Sequence, residues 1–382
     1  MAHSPPYDCI VVGLGALGSS ALFHVASRSR RVLGIDAFDP PHTLGSTHGR
    51  SRIIREAYYE HPSYVPLLRL AYARWAELEQ RASERLFLRT GGLMLGAPDS
   101  GLVAGSLESA RQESIRVDVL TRSEIVSRFP AMSPAADMIG VLEENAGVLF
   151  PEACVRSYLR EAQTLGAQIC SNARVTGIES SGDSIHVHVG AETFVGQRLL
   201  LAAGPWMPDV LEMLNVHVPL EIERQTMHWF APSAGSAHAT PDRLPVALIE
   251  HERDRLFYVM PDLGDGVKAA IHHEGAIVSP DTVDRSVGLA DTAPVAQLID
   301  RYVPGASGAI RESAVCLYTD TPDRDFILDA LPSHPGIVLG SACSGHGFKF
   351  ASALGEIAAQ MLLGESLSGD VSLFALSRFD RG

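Results

Sequence analysis

Positive charge is scarce in this chain: 31 Lys and Arg stand against 45 Asp and Glu, a formal net charge of −14 over 382 residues. A surface of that sign repels polyphosphate backbones and anionic headgroups, so neither nucleic acid nor membrane is expected as a partner. An anionic ligand would need a local basic pocket. Long hydrophobic runs are also missing, none approaching the ~20 residues of a spanning helix. The opening Met1-Ala2-His3-Ser4-Pro5-Pro6 lacks the basic segment and apolar core of a secretion leader. Cysteine is sparse and scattered: Cys9, Cys154, Cys170, Cys316 and Cys343 form no C-x-x-C pair and are odd in number. That excludes a disulfide framework and fits reduced thiols in the cytoplasm. No G-x-S-x-G supports a serine hydrolase, and no internal repeat or low-complexity tract is present.

What is present is a composition with 46% hydrophobic residues, enough for a sizeable core, in a chain too long for one comfortable core. Its first forty residues read as strand, glycine turn, helix, strand. Asp8-Cys9-Ile10-Val11-Val12 is a buried-strand run leading into Gly13-Leu14-Gly15-Ala16-Leu17-Gly18, and Arg31-Val32-Leu33-Gly34-Ile35 ends at Asp36. Such a loop offers backbone N–H groups at a helix's positive end to a pyrophosphate. Gly13 permits the tight turn, Gly15 clears the phosphate's path, and Gly18 lets the helix pack on the strands. Asp36 stands where a carboxylate binds an adenosine ribose. The motif predicts a dinucleotide but does not choose between NAD and FAD.

Downstream, Gly45-Ser46-Thr47-His48-Gly49-Arg50-Ser51-Arg52 and Arg55 place three arginines within six residues, which suggests an anion or cofactor contact. Ser63 is expected to cap a helix with Val65, Leu68, Tyr72, Trp75 and Leu78 on one face. Helices are predicted over 101–112, 122–128, 152–165 and 294–302, and strands over 86–88, 92–95, 168–178, 185–189 and 198–203. The last of these strands runs into Gly204-Pro205-Trp206, where backbone is expected to approach the cofactor. Beyond about Val218 shorter strands, at 225–230, 256–260 and 267–271, suggest an inserted antiparallel sheet. His272-His273 raises a metal, but neighbours in a strand face opposite ways and no third ligand at metal spacing is evident, so no metal is expected.

Near the C-terminus, Cys316-Leu317-Tyr318-Thr319-Asp320-Thr321-Pro322-Asp323 precedes a strand, Gly336 to Gly340, and the turn Cys343-Ser344-Gly345-His346-Gly347. A helix is expected from Phe348-Lys349 to Leu363. This is a second strand–glycine turn–helix, again presenting N–H groups to a negative group such as a reduced isoalloxazine. Together with the glycine loop, His48-Gly49-Arg50-Ser51-Arg52-Ile53-Ile54-Arg55, Gly147-Val148-Leu149-Phe150, Ser344-Gly345-His346-Gly347-Phe348-Lys349-Phe350 and the closing Phe374-Ala375-Leu376-Ser377-Arg378-Phe379, it resembles the monomeric sarcosine oxidase and N-methyltryptophan oxidase family over almost the whole chain.

The resemblance implies an α/β fold with a Rossmann-like FAD-binding domain (1–86, 148–217, 320–382) interleaved with a largely antiparallel substrate domain (87–147, 218–319). It implies an oxidase acting on the secondary amine of an N-methyl amino acid, with oxygen as acceptor. The imine product would hydrolyse to an aldehyde and a primary amino acid, and hydrogen peroxide would form. A same-fold oxidase or dehydrogenase of a cyclic imino acid or a primary amino acid is the alternative, and a non-enzymatic nucleotide-binding module a more distant one.

By the same resemblance FAD is joined covalently to Cys316 through its 8α carbon. Arg55 and Lys349 hold the substrate carboxylate, and Lys268 activates oxygen. Tyr258, His272 and Tyr318 line the pocket, and Arg52 with Ser51 lies near the flavin's reactive edge. The remaining cofactor contacts expected are Ala16, Leu17, Ala37, Gly45, Ser46, His48, Val175, Ala203, Gly204, Trp206 and Ser344 to Gly347. A monomer with only small-molecule partners is expected. The chain departs from the family at Arg50, Ser51 and Tyr258-Val259-Met260-Pro261, and its loop from Pro261 to Lys268 is one residue shorter. These changes fall on the pocket wall and bear on which substrate fits.

Overall fold

In the computed structural model, which describes residues 5–182, 184–232, 238–334 and 336–379, the run Tyr7–Val12 is an inner strand, paired on both sides from Cys9 to Val12. It lies parallel to Val32–Ile35 on one side and to the end of Glu192–Leu201 on the other. Gln168–Cys170 and Ile337–Ser341 extend the parallel order outward. Antiparallel strands Gly177–Ser181, Ser184–Val189 and Ile327–Ala330 complete an eight-stranded sheet. Its central strands are almost wholly apolar because both faces are covered. On one face, Leu17, Leu22 and Val25 of the helix Ala16–Ala26 pack with Leu354 and Ile357 of the helix Ala351–Leu363. On the other, Ile10, Leu33 and Leu199 pack with Met207 and Leu211. Met1–Ser4, read above for a leader, lies outside the described residues.

A second sheet of nine strands is built mainly from Glu221–Phe230, Val246–Glu252, Arg255–Met260, Val267–His272 and Ile310–Asp320, antiparallel throughout that set. Gly92–Gly96 joins it as the one parallel neighbour of Val246–Glu252. The fold is therefore the mixed one expected, a parallel nucleotide-type sheet beside a largely antiparallel one. Arg52–Ile54, Gly147–Leu149 and Phe87–Arg89 form a small third sheet where the chain crosses between the two.

Four local expectations are corrected. The strand expected over 168–178 breaks after Cys170, because Asn172 turns left-handed (φ 54°) and Ala173 N–H bonds back to the Asp36 carbonyl. The first helix of the arginine segment is capped by His61 and not Ser63: His61 Nδ1 accepts the Ser63 N–H at 3.2 Å, and a 3-10 turn Pro62–Tyr64 leads into Val65–Ala82. The helix expected from Pro294 begins at Leu289, where Asp291 accepts the Gly288 N–H. The helix expected from Phe348 opens with a 3-10 turn, Phe348–Phe350, before Ala351–Leu363.

Candidate active site

The glycine loop forms as its spacing requires. Gly13 sits at φ 89°, and a Cβ there would lie 2.3 Å from the Ala202 carbonyl oxygen; one on Gly18 would lie 1.7 Å from the Gly13 carbonyl oxygen. Gly15 is different, since a Cβ there would meet only Thr47 Oγ1 at 3.4 Å. The first two glycines close the turn and seat the helix, whereas Gly15 opens onto a pocket shared by both sheets. Asp36 is buried at the pocket's edge, its carboxylate accepting N–H groups from Leu14 (2.7 Å) and Phe38 (2.9 Å). Burial raises its pKa despite those two donors.

From this end the pocket passes Ala16, Leu17, Ala37, Val175 and the turn Ala203, Gly204 and Trp206. It continues past Gly45, Ser46 and Arg52 to Cys316 and the second turn, Gly345, His346 and Gly347. Arg52 is fixed by two carbonyls, Ser51 (2.8 Å) and Ser46 (2.7 Å), with Cys316 Sγ 3.8 Å away. Cys316 is 2% exposed on the strand Ile310–Asp320, directly across from Gln225. Cys343 also faces the pocket, and burial pushes its thiol up to about 11. None of the five cysteines is disulfide-bonded.

The far end holds the groups expected to meet substrate. Arg55 is buried, donating to the Ala57 carbonyl and to both Glu60 oxygens, and its Nε has no partner. Its guanidinium lies over the rings of Tyr58 and Tyr59 at 4.5 and 4.9 Å. Lys349 Nζ donates to the His346 carbonyl at 2.6 Å, in a 3-10 turn whose carbonyl at Lys349 takes the Trp75 indole N–H. Burial, and then Arg55, depress Lys349 to about 7. Tyr258, His272 and Tyr318 line the same wall, with His272 Nδ1 3.2 Å from the Tyr318 hydroxyl.

Five residues expected at the cofactor or oxygen site do not line this pocket: Gly18, His48, Ser51, Lys268 and Ser344. Gly18 acts through packing. Ser344 uses its N–H on the Thr319 carbonyl. His48, 3% exposed, is held neutral, its pKa pushed down to about 3 by burial and then by Arg52 and Lys268. Lys268 is 1% exposed and donates to the carbonyls of Gly49 (2.8 Å) and Ser51 (3.0 Å), the loop that also holds Arg52. Burial, and then Arg52, lower its pKa strongly. Arg50 turns the other way, pairing with Asp265 and Glu312 and lying over Trp229 at 4.8 Å.

The strand rule applied to His272-His273 fails at this place. The strand Val267–His272 ends at His272, and His273 is left-handed (φ 65°), so both rings sit against Tyr318, at 5.7 and 5.3 Å. Two carboxylates, Glu223 and Asp320, also surround His273, which adjacency in sequence could not reveal.

The model of the family described as FAD dependent oxidoreductase matches residues 8–361. The chain belongs to that family. Among curated relatives it is 37% identical to monomeric sarcosine oxidase of Streptomyces avermitilis, covering 97% of both chains. It is 32% identical to N-methyl-L-tryptophan oxidase of Salmonella newport, covering 98% of this chain and 100% of that protein. Among solved structures, NikD, an amino acid oxidase of nikkomycin biosynthesis, superposes with a TM-score of 0.86 at 23% identity over 98% of each chain. L-proline dehydrogenase from P. horikoshii gives 0.85 at 19%, covering 100% of this chain and 99% of that one. At those identities the two superpositions establish the fold alone.

The residues present fit the FAD this family uses. Gly15, where a Cβ would touch only the Thr47 side chain, the carboxylate of Asp36 after the second strand, and the positive ends of two helix segments line one continuous pocket. Tyr59, Glu60 and Leu248 are pocket residues that motif reading missed, whereas Met260 lies on the pocket wall as expected. Only Glu60 carried a signal, an acid five residues after the buried Arg55. Among the described residues, no helix is long and apolar enough to cross a membrane.

Proposed function

We propose that this chain is an oxidase of N-methyl amino acids, converting the secondary amine to an imine that water hydrolyses to an aldehyde and a primary amino acid, with dioxygen reduced to hydrogen peroxide. The observation that carries this reading is the unpartnered Nε of Arg55, buried beside Lys349 on the pocket that begins at the glycine loop. A buried donor without a partner is costly unless a ligand supplies one. A carboxylate does so, accepting the Nε–H of Arg55, whose Nη groups already serve Ala57 and Glu60, beside the point charge of Lys349.

FAD supplies the two-electron acceptor when bound. Gly13, Gly15 and Asp36 would hold its adenosine diphosphate end, and Cys316 would bond its 8α carbon as a thioether. The amine reacts only with its lone pair free, and Arg52 beside the pocket disfavours the ammonium form by like-charge repulsion. Tyr258 and Tyr318 are held as neutral phenols by burial, so they shape the wall and donate hydrogen bonds without adding charge. Lys268 is held on the Gly49 and Ser51 carbonyls behind Arg52, with burial opposing its charge; negative charge developing on dioxygen nearby would favour its ammonium form and be stabilised by it in return. The parallel sheet would carry the adenosine end of FAD, the antiparallel sheet would supply Cys316, Tyr258, His272 and Tyr318, and Arg55 and Lys349 would reach the substrate from the segments after Arg52–Ile54 and Ile337–Ser341. The enzyme works as a cytoplasmic monomer with small-molecule partners.

The test is a substrate panel on the purified yellow protein, read by peroxide formation. N-methyl amino acids should react and cyclic imino acids and primary amino acids should not. Turnover confined to the latter two groups would overturn the substrate, and no peroxide with any amine would overturn the oxidase.

A further inference from the structure

Beside the substrate wall lies a group of ionisable side chains that the reaction described above does not use. Glu223, His273 and Asp320 come from three separate segments, and their ligand-type atoms lie within 4.8 Å of one another. His273 Nδ1 is 3.1 Å from Glu223 Oε2 and 3.6 Å from Asp320 Oδ2. Glu223 lies directly across from Tyr318 on the neighbouring strand, and Asp320 follows Tyr318 by two residues, so all three side chains share one face of the sheet. Glu223 also accepts the Gly275 N–H, fastening the turn in which His273 and Glu274 are both left-handed, at φ 65° and 74°. That turn follows His272 directly, and the two histidine rings lie 4.3 Å apart.

We infer that Glu223, His273 and Asp320 form a buried charge triad that anchors His272 and keeps it uncharged at the substrate pocket, making His273 a positioning residue for amine oxidation. The inference rests on the oxidase reading for its role and on geometry for its existence. Two carboxylates this close repel, and burial pushes Asp320 toward its neutral form, unless a cation lies between them. The Nδ1 of His273, facing both, supplies it as an imidazolium. Burial alone would lower the His273 pKa, but the adjacent carboxylates of Asp320 and Glu223 outweigh it and raise the value.

The same cation acts on its neighbour. His272 is driven strongly toward the neutral form by burial, then by His273, with His346, Lys349 and Arg324 acting in the same direction. The groups facing His273 are Glu223, Asp320, Arg324, Tyr318 and His272; those facing His272 are His273, Tyr318, His346, Lys349 and Arg324. A neutral His272 adds no charge that would repel the approaching amine, and its Nδ1 can accept the Tyr318 hydroxyl.

Nitrogen-15 NMR of the histidine-labelled holoenzyme reads both rings directly. Between about pH 6 and 8, where an ordinary imidazole titrates, His273 should remain an imidazolium and His272 neutral. A neutral His273 across that range overturns the triad, whatever the protein oxidises. The functional arm uses His273→Asn, since Asn tolerates the left-handed backbone but removes the cation. Left beside two carboxylates, His272 should then protonate more easily. The acid limb of the anaerobic reduction rate should rise by about one pH unit, roughly a tenfold loss on that limb, with the oxygen reaction unchanged. His273→Lys, which keeps the cation, should restore the profile. A superimposable profile for His273→Asn, or a stoichiometric divalent metal in the parent that the variant loses, would overturn the positioning role. If no N-methyl amino acid reduces the parent, the oxidase reading falls, while the NMR result still decides the triad.

Discussion

Nη2 of Arg55 meets both carboxylate oxygens of Glu60, at 3.0 and 2.8 Å, with the guanidinium 2% exposed and the carboxylate side chain 19%. Burial alone would raise the Glu60 pKa, but Arg55, then His346 and Lys349, bring it below the ordinary value. The pair balances a cation that would otherwise sit dry between two aromatic rings. Glu60→Gln should therefore lower stability by about 3 kcal/mol, the lower end for breaking a buried pair, because Glu60 is partly wetted. An acidic inhibitor should recover more stability in the variant than in the parent. Calorimetric melting with and without such an inhibitor measures both effects, and an unchanged midpoint would show that Arg55 needs no counter-ion.

Lys349 carries the second expected charge. Lys349→Met should weaken carboxylate inhibitors about a hundredfold, the scale of one charge-assisted hydrogen bond, with FAD retained. In the parent the sign of the pH dependence follows from the depressed pKa of about 7. The ammonium is present below that value and is lost as pH rises through it. Anion affinity should thus fall above neutrality, with the fall displaced upward in the complex because the anion favours the charged lysine. Inhibitor titrations followed by flavin absorbance from pH 6 to 9 check this, and a flat affinity would remove Lys349 from the carboxylate site.

Cys316 should carry the flavin covalently. Acid-precipitated protein should stay yellow, and a proteolytic peptide containing Cys316 should bear the flavin mass. Cys316→Ser should release its colour on precipitation. A colourless parent precipitate would refute the thioether and leave flavin binding intact.

Lys268 divides the catalytic cycle. A cation stabilises most where new negative charge appears, which is the one-electron reduction of oxygen. Lys268→Met should slow reoxidation by oxygen far more than anaerobic reduction by the amine, as stopped-flow absorbance of each half-reaction would measure. Equal, small effects on both would leave Lys268 a structural clasp on the Gly49–Ser51 loop.

The glycine loop was legible because its chemistry is local: Gly13, Gly15 and Gly18 do their work within six residues, and the strand and helix they join have clear composition. The family likeness pointed to Arg55, Lys349, Tyr258 and Tyr318, and the structure brings all four to one pocket. Lys268 was harder, since a strand lysine ordinarily points to water; only the pairing of Trp229 with Lys268 and the loop above it show where the ammonium goes. The Glu223–His273–Asp320 contact was beyond reach, because three distant segments meet there and the left-handed turn at His273 cancels the alternation on which the strand argument relied. His61 displaced Ser63 as a cap for a related reason, since a ring nitrogen can accept an N–H as a hydroxyl does.

The strand Ile310–Asp320 sets Cys316, Tyr318 and Asp320 at a two-residue interval on one face, in unbroken register against Glu221, Glu223 and Gln225. It works as a ruler on which the Cys316 thiol, the Tyr318 pocket wall and the Asp320 carboxylate are graduations. Removing one residue upstream would turn all three marks to the opposite face at once, whereas a substitution affects only one. The spacing of this segment is therefore less tolerant of change than any single side chain along it.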